Sequence, residues 1–195
     1  MKELKAISAI ILAGGYSARM GTNKAELLLQ GKSFLARQVE KMRTIGIRDI
    51  VISGYETTIQ GTRFAPDIYP HRGPLSGIHA GLLVIRESCA LVTAVDTPLL
   101  PEALLCRLIE LHDHGITLIS HSGRMEPLIG VYDKALSRSC EQVLRGNRTS
   151  VKTLLRKTGC TVLEYSGDAT LLAGCNTPEE YQRLLRTQGQ KSAGP

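Results

Sequence analysis

Ala6-Ile7-Ser8-Ala9-Ile10-Ile11-Leu12-Ala13-Gly14-Gly15 is an apolar run of strand length that stops on paired glycines. A strand that reads almost continuously apolar is buried on both faces, and such strands belong to parallel sheets covered by helices. Outward from it, apolar strand patterns recur at Ile50-Val51-Ile52, Arg63-Phe64-Ala65, Cys89 to Val95, Ile116 to Ser120, Leu128 to Tyr132 and Thr161 to Tyr165. Helical patterns lie between them. One carries Phe34, Leu35, Val39 and Met42 and closes at Gly46. One opens at Pro74 and runs through Ile78, Leu82 and Ile85, and another opens at Pro101 with Leu104, Leu105, Leu108 and Ile109 as its apolar face. Two more cover 135–144 and 150–157, and Thr177 with Glu180 has capping-box spacing for a last one. This alternation predicts a single α/β domain over 1–187. It is a three-layer α/β/α Rossmann-like fold with a mainly parallel sheet, followed by a flexible polar tail over 188–195.

The bulk numbers narrow the function. A chain of 195 residues suits one domain, and 43% hydrophobic against 22% charged residues gives an ordinary globular balance. Tryptophan does not occur and aromatics are 4%, which disfavours stacking platforms for single-stranded nucleic acid. A net charge of +6 and a pI near 9.2 fit anionic partners such as phosphates and nucleotides, or equally a basic surface kept for solubility. No run of Lys and Arg exceeds two residues, so no basic arm for nucleic acid is visible. Cys89, Cys106, Cys140, Cys160 and Cys175 are scattered with no C-x-x-C pair, as expected of reduced thiols in a cytoplasmic protein. The apolar run ending at Leu12 is too short for a signal peptide or a membrane span. His71, His79, His112, His114 and His121 form no metal-binding pattern, and no nucleophile elbow is present.

In parallel sheets the ligand sits beyond the carboxyl ends of the strands, so the first loop matters most. It reads Leu12-Ala13-Gly14-Gly15-Tyr16-Ser17-Ala18-Arg19-Met20-Gly21-Thr22-Asn23-Lys24. Adjacent glycines let backbone N–H groups approach phosphate oxygens, Arg19 can hold a phosphate bidentately, and Lys24 adds a compact charge. Together they suit a developing pyrophosphate. The loop is not a Walker loop, because Glu26 stands where the glycine preceding Gly31-Lys32-Ser33 would be. Asp96 ends an apolar strand, where one carboxylate can join Mg²⁺ to a triphosphate; it can equally cap the turn before Pro98.

The segments Leu-Ala-Gly-Gly, Ser17-x-Arg19-Met20-Gly21 and Lys24 resemble the signature loop of the molybdenum cofactor guanylyltransferases, within the nucleotidyltransferases of nucleotide-diphospho-sugar transferase type. The resemblance runs on through Gly73-Pro74-Leu75-Ser76-Gly77-Ile78, Asp96-Thr97-Pro98 and Asn176-Thr177-Pro178-Glu179-Glu180. It implies transfer of GMP from GTP to molybdopterin with release of pyrophosphate, with Arg19, Lys24 and Asp96 catalytic and Mg²⁺ on Asp96. It also implies nucleotide contacts along Leu12, Ala13, Gly14, Gly15, Lys24, Ser53, Asp67, Gly73, Pro74, Leu75, Gly77, Asp96 and Asn176. Other proteins of molybdenum cofactor biosynthesis are implied as handover partners. Two departures stand out. The asparagine that the family carries after the second strand is replaced by Ser53-Gly54-Tyr55, and an earlier asparagine of the late motif is Gly174. A related enzyme using CTP or a sugar phosphate, and a catalytically silent nucleotide-binding regulator, therefore remain as alternatives. Arg124, Glu126 and Pro127 resemble the family's second-substrate region, and read equally as a solvated hairpin.

Overall fold

The computed structural model describes residues 6–14 and 23–191. The first strand, β1 (Ser8–Leu12), leads into the first loop. A short hairpin follows, β2 (Leu28–Leu29) and β3 (Lys32–Ser33), turned by Gln30 and Gly31 at φ 51° and 77°. This explains the Gly-Lys-Ser run: Gly31 makes a tight turn and Ser33 caps helix α1 (Phe34–Thr44), its Oγ accepting from Ala36 N at 3.1 Å. Then come β4 (Ile50–Ser53), β5 (Thr62–Ala65), α2 (Pro74–Val84), β6 (Cys89–Ala94) and α3 (Glu102–Leu111). A hairpin of β7 (Ile116–His121) and β8 (Arg124–Asp133) precedes α4 (Ser137–Leu144), α5 (Val151–Thr158), β9 (Thr161–Glu164) and α6 (Pro178–Lys191).

Among the described residues seven strands form one sheet in the order β5-β4-β1-β6-β8-β7-β9. The pairs β5–β4, β4–β1, β1–β6 and β7–β9 are parallel, and β8 runs against both its neighbours. The strands alternate between two cores, as the two-residue period of a strand requires. Ala9, Ile11, Ile50, Ile52 and Leu91 pack with α1 and α3, whereas Ile10, Val51, Ala90 and Val92 pack with α2, α4 and α5. From Leu75 to Leu82 every residue of α2 is buried, because the sheet covers one side and α4 the other.

Three details differ from the sequence expectation. The strand expected at Leu128 begins at Arg124, because Ser122 and Gly123, at φ 52° and 73°, make a two-residue turn. Between the pairs Leu118–Gly130 and Ile119–Glu126 the register shifts, so Pro127, Leu128 and Ile129 bow out of the ladder. The expected tail at 188–191 is the last turn of α6, where Gln30 Nε2 donates to the carbonyl of Gln188 at 3.4 Å; residues 192–195 lie outside the described residues. His112 caps α3, and its ring nitrogens lie 3.0 Å from Thr117 Oγ1 and 3.0 Å from Asp133 Oδ1. Cys89 lies beside this pair, a cluster that adjacency in sequence does not reveal. Among the described residues no helix is long and apolar enough to cross a membrane.

Candidate functional site

Asn23 caps a single turn of 3₁₀ helix, Lys24–Glu26, its side chain accepting from Ala25 N at 3.0 Å. Ala25 is buried and anchors that turn, which leaves Lys24 directed across the carboxyl end of β6. There Lys24 Nζ donates to Asp96 Oδ2 at 2.7 Å and to Asn176 Oδ1 at 2.6 Å. Three predicted site residues, drawn from positions far apart in sequence, thus meet at one point.

The corner bearing Asp96 is held from below. Val95 N donates to the Leu12 carbonyl, which ties the corner to β1. Gln38 Nε2 donates to the carbonyls of Ala94 at 3.2 Å and Thr97 at 2.8 Å, and Lys41 Nζ donates to the Pro98 carbonyl at 3.1 Å. The sequence reading passed over Gln38 and Lys41. Their signal was polar residues on the apolar stripe of Phe34, Leu35, Val39 and Met42, where burial demands a partner. Asn176 is held in turn by Cys175 N, which donates to the Asp96 carbonyl at 2.8 Å, and by the expected capping box. Glu180 Oε2 accepts from Asn176 N and Thr177 N, and Thr177 Oγ1 accepts from Glu180 N.

Burial presses the Lys41 ammonium down to about 8, against an opposing pull from Glu102. Between that value and the ordinary lysine value the unfolded chain binds the extra proton, so this group's contribution to stability rises with pH. Relative to Lys41→Met, the wild type should gain about 3 kcal/mol of unfolding free energy between pH 7.5 and 10.5. Denaturant titrations of both proteins across that range check it, and a difference independent of pH rejects it.

The other predicted contacts lie on the β1–β4–β5 side. Gly14 and Gly54 meet backbone to backbone: a Cβ on Gly54, at φ 79°, would fall 2.3 Å from Gly14 Cα. The N–H groups of Ala13 and Gly14 both donate to the Ser53 carbonyl, at 2.8 and 3.1 Å, so in this structure they are spent on the protein rather than left for a phosphate. Ser53 is buried, and its Oγ lies 3.3 Å from Asp67 Oδ1. Loss of water lifts the Asp67 carboxyl above its ordinary value, and the Ser53 bond works against that rise. Gly77 has no room for a side chain, since a Cβ there would lie 2.6 Å from Ser53 Oγ and 2.9 Å from Leu12 Cδ2. Gly73 and Pro74 are exposed at the start of α2, whereas the Leu75 side chain is in the core and leaves only backbone to offer a ligand. Gly15 and Arg19 lie outside the described residues.

On the other side of Asp96 a cleft of about 900 Å³ runs along β8 and α5. Asp96, Gly174 and Asn176 line it, together with Arg124, Glu126 and Pro127. Asp96 therefore stands between a glycine-rich half and an open cleft, next to the β1–β6 boundary of the sheet.

The hard oxygen donors of this cluster suit a small divalent cation. Among the described residues Asp96 Oδ1 makes no hydrogen bond, and the Asn176 amide oxygen is beside it through Lys24. At Gly174 a Cβ would come within 3.5 Å of Asp96 Oδ1 and 3.0 Å of Asn176 Nδ2, so the glycine keeps that flank open. One or two carboxylates, with phosphate and water filling the remaining positions, are what Mg²⁺ requires.

The chain is similar to known proteins over most of its length. A family model described as MobA-like NTP transferase domain matches residues 9–165. The chain is 29% identical to a probable molybdenum cofactor guanylyltransferase of Carboxydothermus hydrogenoformans, over 92% of this chain and 95% of that protein. It is 31% identical to a relative of the same description from Clostridium perfringens strain SM101, over 92% and 96%. In fold it is similar to the crystal structure of molybdopterin-guanine dinucleotide biosynthesis protein A from Archaeoglobus fulgidus. That match has a TM-score of 0.78 and 19% identity over 94% of this chain and 100% of that one. The chain belongs to the MobA-like NTP transferase family and is a nucleotidyltransferase.

Proposed function

We propose that this chain transfers GMP from GTP to molybdopterin and releases pyrophosphate, forming the guanine dinucleotide of the cofactor. The observation that carries the reading is the meeting of Lys24, Asp96 and Asn176 between a glycine-rich half and a cleft with room for a second substrate. The descriptions of the relatives, transferred to this chain, name the two substrates.

In this reading a terminal phosphate oxygen of the acceptor attacks the α-phosphorus of GTP. The bond from the α-phosphorus to the bridging oxygen breaks, and the electron pair leaves with pyrophosphate. The nucleophile is already an anion, so no strong general base is required, and positioning and charge neutralisation do the catalysis. Lys24 exchanges its bond to Asp96 for the triphosphate, and Arg19 is assigned to the same group by the sequence motif. Asp96, assisted by the Asn176 amide oxygen, would hold Mg²⁺, which supplies charge neutralisation on the phosphates. Asp67, steadied by Ser53, and the start of α2 at Gly73 and Pro74 face the nucleoside. A cytoplasmic location, with delivery of the acceptor by other proteins of the same biosynthesis, completes the proposal.

Thermal unfolding in GTP, CTP, UTP and ATP, each with and without Mg²⁺, tests the base. A ligand at a hundred times its Kd adds about 2.7 kcal/mol, which shifts Tm by about 5–10 °C at this size. The expected result is selective, Mg²⁺-dependent stabilisation by GTP. Ser53-Gly54-Tyr55, without an asparagine, favours one second reading, transfer from CTP. A larger shift with CTP would establish it. A silent regulator would bind a nucleotide yet release no pyrophosphate when molybdopterin is added.

A further inference from the structure

The cleft beside Asp96 is charged unevenly. Its two carboxylates each already face a cation: Asp96 meets Lys24 at 2.7 Å, and Glu126 meets Arg124 at 3.6 Å. Its remaining charges are Lys152 and Arg156, both on α5 and both exposed. Among the described residues neither makes an ion pair or a side-chain hydrogen bond. They are one helical turn apart, and like charges at that spacing cost a helix a few tenths of a kcal/mol. The rest of α5 is conventional, since Ser150 caps it and Val151, Leu154 and Leu155 fill the core. Arg156 lies in the last turn, where the helix dipole favours a cation, whereas Lys152 in the first turn has no such compensation. Much of the rest of the lining is apolar, with Leu155 and Leu172 beside the bowed segment Pro127, Leu128 and Ile129. A phosphate alone would need only Lys24 and Asp96. A cleft of this volume, lined largely by apolar side chains and carrying two further cations, fits an acceptor with an anionic group besides its phosphate.

We infer that Lys152 and Arg156 bind a second anionic group of the acceptor, distinct from the phosphate that reacts, and so select acceptors carrying both. The inference rests on the proposed transfer and names what its acceptor must carry. Lys152 and Arg156 are specificity residues in it, acting on binding and not on the reacting atoms.

The test is GMP transfer from Mg²⁺–GTP to molybdopterin by the full chain at several ionic strengths, with Lys152→Ala/Arg156→Ala beside wild type. The expected result is an acceptor KM raised on the order of tenfold, with kcat and the KM for GTP within about twofold. The fall in acceptor affinity with added salt should also flatten, because two screened contacts are gone. Lys152→Arg/Arg156→Lys should restore both. An unchanged acceptor KM and salt dependence overturns the inference, as does an equal loss against GTP. Calorimetric titration of molybdopterin into both nucleotide-loaded proteins reads the same difference without turnover. If wild type binds molybdopterin yet transfers no GMP, the proposed function fails and that titration still decides the role of α5; if it binds none, the inference is overturned as well.

Discussion

Asp96→Asn should lower kcat on the order of 10³-fold while the protein still folds and still binds GTP. The side chain keeps its size, and the corner that carries it is held by backbone and by α1, through Gln38 and Lys41, none of which changes. Lys24 keeps its 2.6 Å bond to Asn176 and an amide oxygen in place of Asp96 Oδ2, so the pair loses charge without losing its acceptor. Both partners are largely shielded, at 13% and 20% side-chain exposure, and the stability loss should be about 1–2 kcal/mol. What disappears is the negative charge that would anchor a divalent cation. Stabilisation by GTP should therefore persist and lose its dependence on Mg²⁺, since Lys24, released from its anion, is free to sit on the triphosphate. Lys24→Ala should cost turnover on a similar scale and also weaken GTP binding, because it removes a charge that meets substrate. Turnover within about tenfold of wild type in Asp96→Asn, with Mg²⁺ dependence intact, would remove Asp96 from the centre of the site.

Much of this architecture was legible because it depends on local pattern. The strand from Cys89 reads as buried on both faces, and a carboxylate placed just past its end must emerge where parallel sheets bind ligands. Thr177 and Glu180 announce the start of α6 by spacing alone. The convergence of Lys24, Asp96 and Asn176 is a long-range fact, 72 and 152 residues apart along the chain, and pattern gave only the candidates. Gln38 and Lys41 fall on the apolar stripe of α1, which marks them as buried, but the carbonyls of Ala94, Thr97 and Pro98 that they meet are 56 and more residues away and no local pattern names them. The same holds for Pro127, Leu128 and Ile129. They read as the start of a strand, yet the register shift opposite Leu118 and Ile119 turns them into the wall of a cleft. Lys152 and Arg156 carried no signal, since exposed cations on a short helix are common and only the cleft distinguishes these two. The paired glycines point to close backbone contact with a phosphate, but pattern does not reveal the contact within the fold: the Ala13 and Gly14 amides donate to the Ser53 carbonyl, and the bare Gly14 Cα faces Gly54.

That contact leads to the second large effect. Gly54→Ala should destabilise the fold by about 3 kcal/mol or more and lower Tm by about 6–12 °C. Two costs add. At φ 79° an L-residue pays about 1–2 kcal/mol for the left-handed region. The new Cβ would also lie 2.3 Å from Gly14 Cα and 2.6 Å from Gly14 N, which are backbone atoms that cannot rotate away. Relief requires the loops after β1 and β4 to separate, which breaks the bonds from Ala13 N and Gly14 N to the Ser53 carbonyl. Ser53 would carry the Asp67 carboxylate with it, so GTP affinity should fall beyond what lost stability explains. Gly31→Ala isolates the conformational part, for its φ is 77° and a Cβ there meets nothing within 4 Å. It should cost about 1 kcal/mol and leave GTP binding unchanged. Equal losses in the two variants would mean that the Gly14–Gly54 contact yields easily, and that the two loops are not one unit. A large loss confined to Gly54→Ala, with weakened GTP binding, would make the closeness of these backbones a condition of the nucleotide site and would explain why residue 54 carries no side chain.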